Sequence, residues 1–215
     1  MPSTEPDVGK FVPAYIDAFV RRCHEFVLLG YAQLDPKALV DLDETAITGH
    51  VKDAMEAALD APDAPEWSIH FTAIDDEPVS VGGKTGKRRP RVDITVLCIN
   101  PRPSTNFRFE AKRLRCPRSL VDYLGEDGML ALITGHYGDV RFAGMLGYVQ
   151  SESCGGWSGR NKHAIIGDPP KYHVTMPVAF TIIEVGAVEP VFASRHHYGA
   201  PPRVIMVTHT LFACA

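Results

Sequence analysis

Apolar residues recur at three- and four-residue steps from Pro13 onward, at Tyr15, Ile16, Phe19, Val20, Cys23, Phe26 and Val27. This spacing predicts a helix that ends near Gly30, preceded by a leader over Met1 to Val12. A second helix is expected from an N-cap at Asp41 or Asp43 to about Leu59, with Ile47, Val51, Met55 and Leu59 on one stripe. Past the breaker Ala61-Pro62-Asp63-Ala64-Pro65, the period changes from 3.6 to two. Trp67, Ile69, Phe71 and Ala73 alternate, which predicts a strand over Glu66 to Ile74, followed by a polar connection from Asp75 to Arg89. Val92, Ile94, Val96 and Cys98 alternate in the same way, as do Phe107, Phe109 and Ala111. With Asn100 to Asn106 between them, these two runs predict a β-hairpin with a medium loop. Further along, the pattern predicts a helix over Leu120 to Tyr137, a short helix over Val140 to Ser151 and a long Gly-rich loop over Ser151 to Pro170. Strands are expected at Val178 to Val185, Val191 to His196 and Arg203 to Leu211, the last two joined by Gly199-Ala200-Pro201-Pro202. No repeat or low-complexity tract interrupts this order. The expectation is one domain, with a leader and helix over residues 1–40 and the main body over 41–215.

The polar positions of the predicted hairpin are its distinctive feature. Arg108, Glu110 and Lys112 share the face opposite Phe107, Phe109 and Ala111. Asp93 lies opposite the apolar set of its own strand, so it comes near Glu110. Glu110 and Lys112 are two residues apart, about 6.5–7 Å between Cα atoms on a strand. Two carboxylates and an ammonium that converge in this way suit a hard divalent cation such as Mg²⁺, which takes one or two protein carboxylates together with water and substrate phosphate. Taken alone, Glu-x-Lys is a common solvated surface pair.

Charge distribution separates these residues from an ordinary surface. The 215-residue chain is 45% hydrophobic and carries a formal charge of −4, yet the charge is unevenly spread. From Lys84 to Arg118 there are eleven Lys and Arg against two acids, Asp93 and Glu110, so this segment is +9 and the remainder −13. A basic field around two carboxylates suits a polyanionic substrate with a cation at its centre.

Pro90, Asp93, Glu110 and Lys112 on a predicted hairpin resemble the PD-(D/E)xK phosphodiesterase superfamily. One departure is that Arg91 and Val92 separate Pro90 from Asp93, where the name-giving motif has the two adjacent; that proline varies in the superfamily. The resemblance covers about Asp41 to Gln150. It implies an α/β, restriction-endonuclease-like fold with an α-β-β-β-α-β core, here with an N-terminal helix and extra C-terminal β-strands. It further implies a metal-dependent DNA endonuclease in which Asp93, Glu110 and the Ala111 carbonyl hold Mg²⁺, with Mn²⁺ as a substitute. Lys112 would orient or deprotonate the attacking water. Members of this fold commonly place an acid on the helix before the sheet, and Glu44 takes that part, since it lies in the core-facing stripe while Glu56 points away. Lys87, Arg88, Arg89, Arg113 and Arg115 would contact backbone phosphates, and Gln150 the substrate or a metal-bound water. Small proteins of this kind look like components of bacterial restriction or phage defence. The implied partners are DNA, with RNA as the alternative polymer, and either a second copy of the chain or a protein of a defence complex. The reading from another class is a non-catalytic subunit that binds nucleic acid or protein on the same fold. Superfamily members that lose catalysis usually lose a ligand or the lysine, and here all are intact.

Other motifs are weaker. Gly83-Lys84-Thr85 imitates the end of a P-loop, but Pro78 stands where that loop needs glycine. His196, His197 and His209 lack the spacing of a zinc site, and His209 is expected to be hydrogen-bonded in the interior. Cys23, Cys98, Cys116, Cys154 and Cys214 form no C-x-x-C pair and are expected as reduced, mostly buried thiols. No apolar run approaches the ~18 residues of a membrane span, and Met1-Pro2-Ser3-Thr4-Glu5 lacks a basic-then-apolar signal. The expected location is cytoplasmic, with no membrane partner.

Overall fold

Seven strands form one mixed sheet in the order β1-β2-β3-β4-β7-β6-β5. The structure is a computed structural model that describes residues 8–81, 89–99, 105–138, 141–178, 180–183, 191–199 and 203–215. The strands are β1 (Phe71–Pro78), β2 (Arg91–Cys98), β3 (Thr105–Leu114), β4 (Phe142–Val149), β5 (Phe180–Ile183), β6 (Val191–Tyr198) and β7 (Arg203–Ala213). Among the described residues five α-helices accompany them: α1 (Val8–Tyr31), α2 (Glu44–Leu59), α3 (Ser119–Leu124), α4 (Met129–Ile133) and α5 (Cys154–Gly167). β1, β2 and β3 are antiparallel, β3, β4 and β7 run parallel, and β7, β6 and β5 return to antiparallel. A parallel β3–β4 pair needs a crossover, and the α3–α4 segment supplies it.

The chain buries two apolar clusters. One joins Phe19, Phe26 and Val27 of α1 and Ile47, Val51 and Met55 of α2 to Ile94, Val96, Phe107, Phe109, Tyr148 and Phe212 of the sheet. The other joins Tyr123, Leu132, Trp157 and Ile165 of α3–α5 to Leu114, Met145, Val207 and Leu211. Along β4, Leu146 and Tyr148 go to the first cluster while Ala143, Met145 and Val149 go to the second, the alternation of a strand covered on both faces. Fully burying each large apolar side chain stabilises the fold by about 1.5–3 kcal/mol. Among the described residues no helix is long and apolar enough to cross a membrane. No disulfide joins the five cysteines, all of them among the described residues, and four are buried.

Several expected elements differ. α1 begins at Val8, inside the expected leader. Glu66–His70 is a 3₁₀ turn set by Pro65, whose carbonyl accepts the Ser68 N–H, so the strand starts only at Phe71 and Ile69 is 73% exposed. That strand continues through Asp75 and Glu77 to Pro78, inside the expected connection, and a charged edge strand of this kind resists unwanted pairing. The predicted Leu120–Tyr137 helix is two short helices. They are broken at Gly128, where an added Cβ would lie 2.4 Å from the carbonyl oxygens of Asp122 and Tyr123. The predicted Val140–Ser151 helix is strand β4. Its apolar run lacks alternation because both faces are covered, and Gly144 and Gly147 leave room for Phe109 and for Leu211 and Leu114. The predicted Ser151–Pro170 loop contains α5. Ser153 caps it by accepting the Gly156 N–H, and Trp157, Asn161 and Ile165 form a buried i, i+4, i+8 stripe that outweighs three interior glycines. β6 and β7 each run two residues further than expected, to Tyr198 and Ala213, and pair with each other as expected.

Candidate active site

Asp43 caps α2 by accepting the Ala46 N–H at 2.8 Å, so Glu44 is the first helical residue. Ile47, Val51 and Met55 anchor that helix in the core with no exposure, and this fixes the direction in which Glu44 projects. On the sheet, backbone pairing of β2 with β3 ends at Ile94 and Phe109. One residue further, the Ala111 N–H donates to Asp93 Oδ2 at 2.7 Å, so a side-chain oxygen takes a donor that the ladder would otherwise use. The same register sets Asp93 opposite Glu110.

Lys112 joins two of the three acids. Its Nζ donates to Glu110 Oε1 at 2.8 Å, to the Ala111 carbonyl at 2.8 Å and to Glu44 Oε1 at 3.2 Å. All three ammonium protons are therefore engaged. Glu44 Oε2 also accepts the Arg113 N–H at 3.2 Å. Asp93, Glu110, Ala111, Lys112 and Glu44 thus form one cluster, with the Lys112 and Glu110 side chains only 12% and 7% exposed.

The electrostatics follow from placing acids close together in a poorly solvated place. Burial pushes the Glu110 carboxyl up to about 7, the neighbouring Asp93 charge adds to this, and Lys112 and Tyr137 oppose it. Burial likewise raises Asp93, opposed by Lys112 and by the Ala111 N–H. For Lys112 burial favours the neutral amine, but Glu110, Glu44 and Asp93 outweigh it and hold the ammonium above its ordinary range. The result is a carboxylate pair with more negative charge than its surroundings solvate, with an ammonium as its cation.

Sequence reasoning missed Tyr137. Its hydroxyl donates to Glu110 Oε2 at 2.7 Å, while its carbonyl accepts from Arg108 Nη1 at 2.8 Å. The contact spans 27 residues across the crossover, and no local pattern marks it. Gly135 and Gly138 flank it with φ of 78° and 85°, a left-handed geometry that favours glycine, and that pair of glycines was the available clue.

The other expected contacts divide. Arg113 and Arg115 line a cavity of about 250 Å³ with Glu44, Lys112, Cys116 and Arg118. Arg89 is half-buried at the entrance to β2 and does not line that cavity. Lys87 and Arg88, like the P-loop imitation, lie outside the described residues. Gln150 follows β4 rather than ending a helix, and its Nε2 donates to the carbonyls of Leu39 and Leu42 at 2.9 Å each. It ties down the segment that leads into α2. His209 is interior as expected, between the Tyr123 hydroxyl at 3.1 Å and Ser194 Oγ at 3.1 Å, while His196 is buried and His197 exposed.

Among the described residues no group of three or more His, Cys, Asp and Glu side chains is arranged as a metal centre. The donor set is smaller: the buried Glu110 carboxylate, the half-buried Asp93 carboxylate and the Ala111 carbonyl, with Lys112 Nζ already seated on Glu110 Oε1 and that carbonyl. Two carboxylates and a carbonyl fit Mg²⁺, which keeps several waters, better than an ion that needs an all-protein cage. The chain matches no protein family, no curated protein and no solved structure.

Proposed function

We propose that this protein is a metal-dependent phosphodiesterase of the restriction-endonuclease-like kind, acting on DNA. One observation carries the reading: Lys112 Nζ lies on Glu110 Oε1, the Ala111 carbonyl and Glu44 Oε1 at once, beside a second carboxylate, the half-buried Asp93. A surface Glu-x-Lys pair has no reason to be this buried or to recruit acids from a second strand and a helix. The element order also agrees with the proposed fold. From α2 the chain makes a helix, three antiparallel strands, a helical crossover and a strand parallel to the third.

In this reading Asp93, Glu110 and the Ala111 carbonyl hold Mg²⁺ or Mn²⁺, which when bound polarises a phosphoryl oxygen and acidifies a water. Lys112 places a positive charge and a proton donor at the phosphate. Glu44 gives the ammonium a second carboxylate, so it stays charged and in place while the Glu110 oxygen serves a cation. Arg113, Arg115 and Arg118 line the adjoining cavity and would meet backbone phosphates, which supplies affinity without sequence choice. The intact set of acids and lysine favours an enzyme over a binding subunit of the same fold.

Glu44→Gln should lower metal-dependent cleavage about tenfold or more, because it removes the negative charge beside Lys112 and leaves one acceptor oxygen where Lys112 Nζ and the Arg113 N–H now use two. Glu56→Gln, which breaks only the Lys52–Glu56 surface pair, should leave the rate within twofold. Rates on end-labelled DNA and RNA of one sequence, taken for both variants, test the reading and the polymer together. Equal losses in the two variants would remove Glu44 from the site.

A further inference from the structure

Each carboxylate at the centre has one oxygen held by a neutral donor of the protein. Asp93 Oδ2 accepts the Ala111 N–H at 2.7 Å, and Glu110 Oε2 accepts the Tyr137 hydroxyl at 2.7 Å. The other Glu110 oxygen, Oε1, and the Ala111 carbonyl face the ammonium instead, each accepting from Lys112 Nζ at 2.8 Å. Tyr137 is itself fixed at its other end, where Arg108 Nη1 donates to its carbonyl at 2.8 Å from the same face of β3. Arg108 and Glu110 are two residues apart on that strand, so the 134–138 turn is pinned across both.

We infer that Tyr137 sets the cation preference of this centre by holding Glu110 to ligation through a single oxygen. The inference rests on the metal-site reading above. Mg²⁺ is bound by single carboxylate oxygens at 2.0–2.1 Å with water completing an octahedron, whereas Ca²⁺ takes six to eight oxygens and commonly both oxygens of a carboxylate at 2.3–2.6 Å. A Glu110 whose Oε2 is committed to a hydroxyl gives Mg²⁺ what it needs and withholds the second oxygen that Ca²⁺ uses. The Ala111 N–H acts in the same sense on Asp93, but it belongs to the backbone. Tyr137 is the part of this device that a side-chain substitution can remove. It is a positioning residue, acting through Glu110.

The test is direct calorimetric titration of the purified protein with Mg²⁺ alone and Ca²⁺ alone, for wild type, Tyr137→Phe, Arg108→Gln and Tyr123→Phe. Tyr137→Phe keeps the ring and frees Oε2, and should shift the ratio of Ca²⁺ to Mg²⁺ affinity toward Ca²⁺ by about tenfold. Arg108→Gln releases only the turn and should shift it in the same direction by less. Tyr123→Phe removes a buried hydroxyl that faces His209 instead, and should leave the ratio unchanged. A general loss of folding lowers both affinities together and does not produce this pattern. If both cations bind and the ratio is the same in wild type and Tyr137→Phe, the inference is overturned and the metal site stands. If neither cation binds wild type, the metal-site reading falls and takes the inference with it.

Discussion

Lys112→Arg should reduce metal-dependent cleavage by about a hundredfold or more while the protein stays folded, although the charge is retained. The reason is the shape of the place that Nζ occupies. Three acceptors, Glu110 Oε1, the Ala111 carbonyl and Glu44 Oε1, surround it at 2.8 to 3.2 Å, and they match the three protons of an ammonium. A guanidinium is planar, longer and directs its donors in a fork, so it cannot make the same three contacts from the same point. With the side chain 12% exposed, there is little room for it to reorient. Cleavage assays together with circular dichroism check this, and a wild-type rate in Lys112→Arg would remove the lysine from the chemistry.

Acidification from pH 7.5 to 5.0 should destabilise the fold by several kcal/mol. Three buried histidines are responsible. Burial lowers His24 to about 3 and His196 to about 4, and pushes His209 well below its ordinary value. His24 is enclosed by Thr210 and, edge-on, by the Phe107 and Phe109 rings at 5.5 and 5.3 Å. A histidine whose folded value lies below its unfolded value near 6.5 binds protons preferentially in the unfolded chain. Its contribution is therefore fully present above about 6.5 and is lost as the pH falls toward the folded value. At pH 5 each such histidine costs roughly 2 kcal/mol, from 1.4 kcal/mol per unit. Glu110, raised to about 7, works in the opposite sense over much of the same range, because its proton is held more firmly in the folded state. Asp93, raised by burial as well, acts in the same sense as Glu110, and two carboxyls against three histidines still leave a net loss. Denaturant midpoints at the two pH values measure it, and an unchanged midpoint would contradict the burial of these rings.

The parts of this molecule that were legible in its sequence are those with one wet and one dry face. α2 displays an N-cap and a core-facing stripe, and β2 and β3 alternate cleanly. That alternation is why Asp93, Glu110 and Lys112 could be placed together before any coordinates. Glu44 was legible for the same reason, through its phase on the helix. β4 was illegible because both its faces are buried, so Phe142–Val149 reads as an apolar run with no period. α5 was obscured by Gly155, Gly156 and Gly159, although its stripe Trp157, Asn161, Ile165 was present to be counted. Tyr137 and Gln150 act through contacts of 27 and more than 100 residues in separation, and nothing local announces such a contact. Gln150 supports the entry to α2 with both amide bonds, a structural task that its neighbours in sequence do not reveal.

The central claim, a metal-dependent phosphodiesterase centred on Asp93, Glu110 and Lys112, is tested most directly by one digestion. Purified wild type, Asp93→Ala and Lys112→Ala are incubated with linear and with supercoiled double-stranded DNA, with Mg²⁺, with Mn²⁺ and with chelator. The account predicts cleavage by wild type in the presence of either ion, none with chelator, and a loss of at least about a hundredfold in both variants. Cleavage that survives in Asp93→Ala and Lys112→Ala, or no cleavage by wild type under any of these conditions, would contradict it.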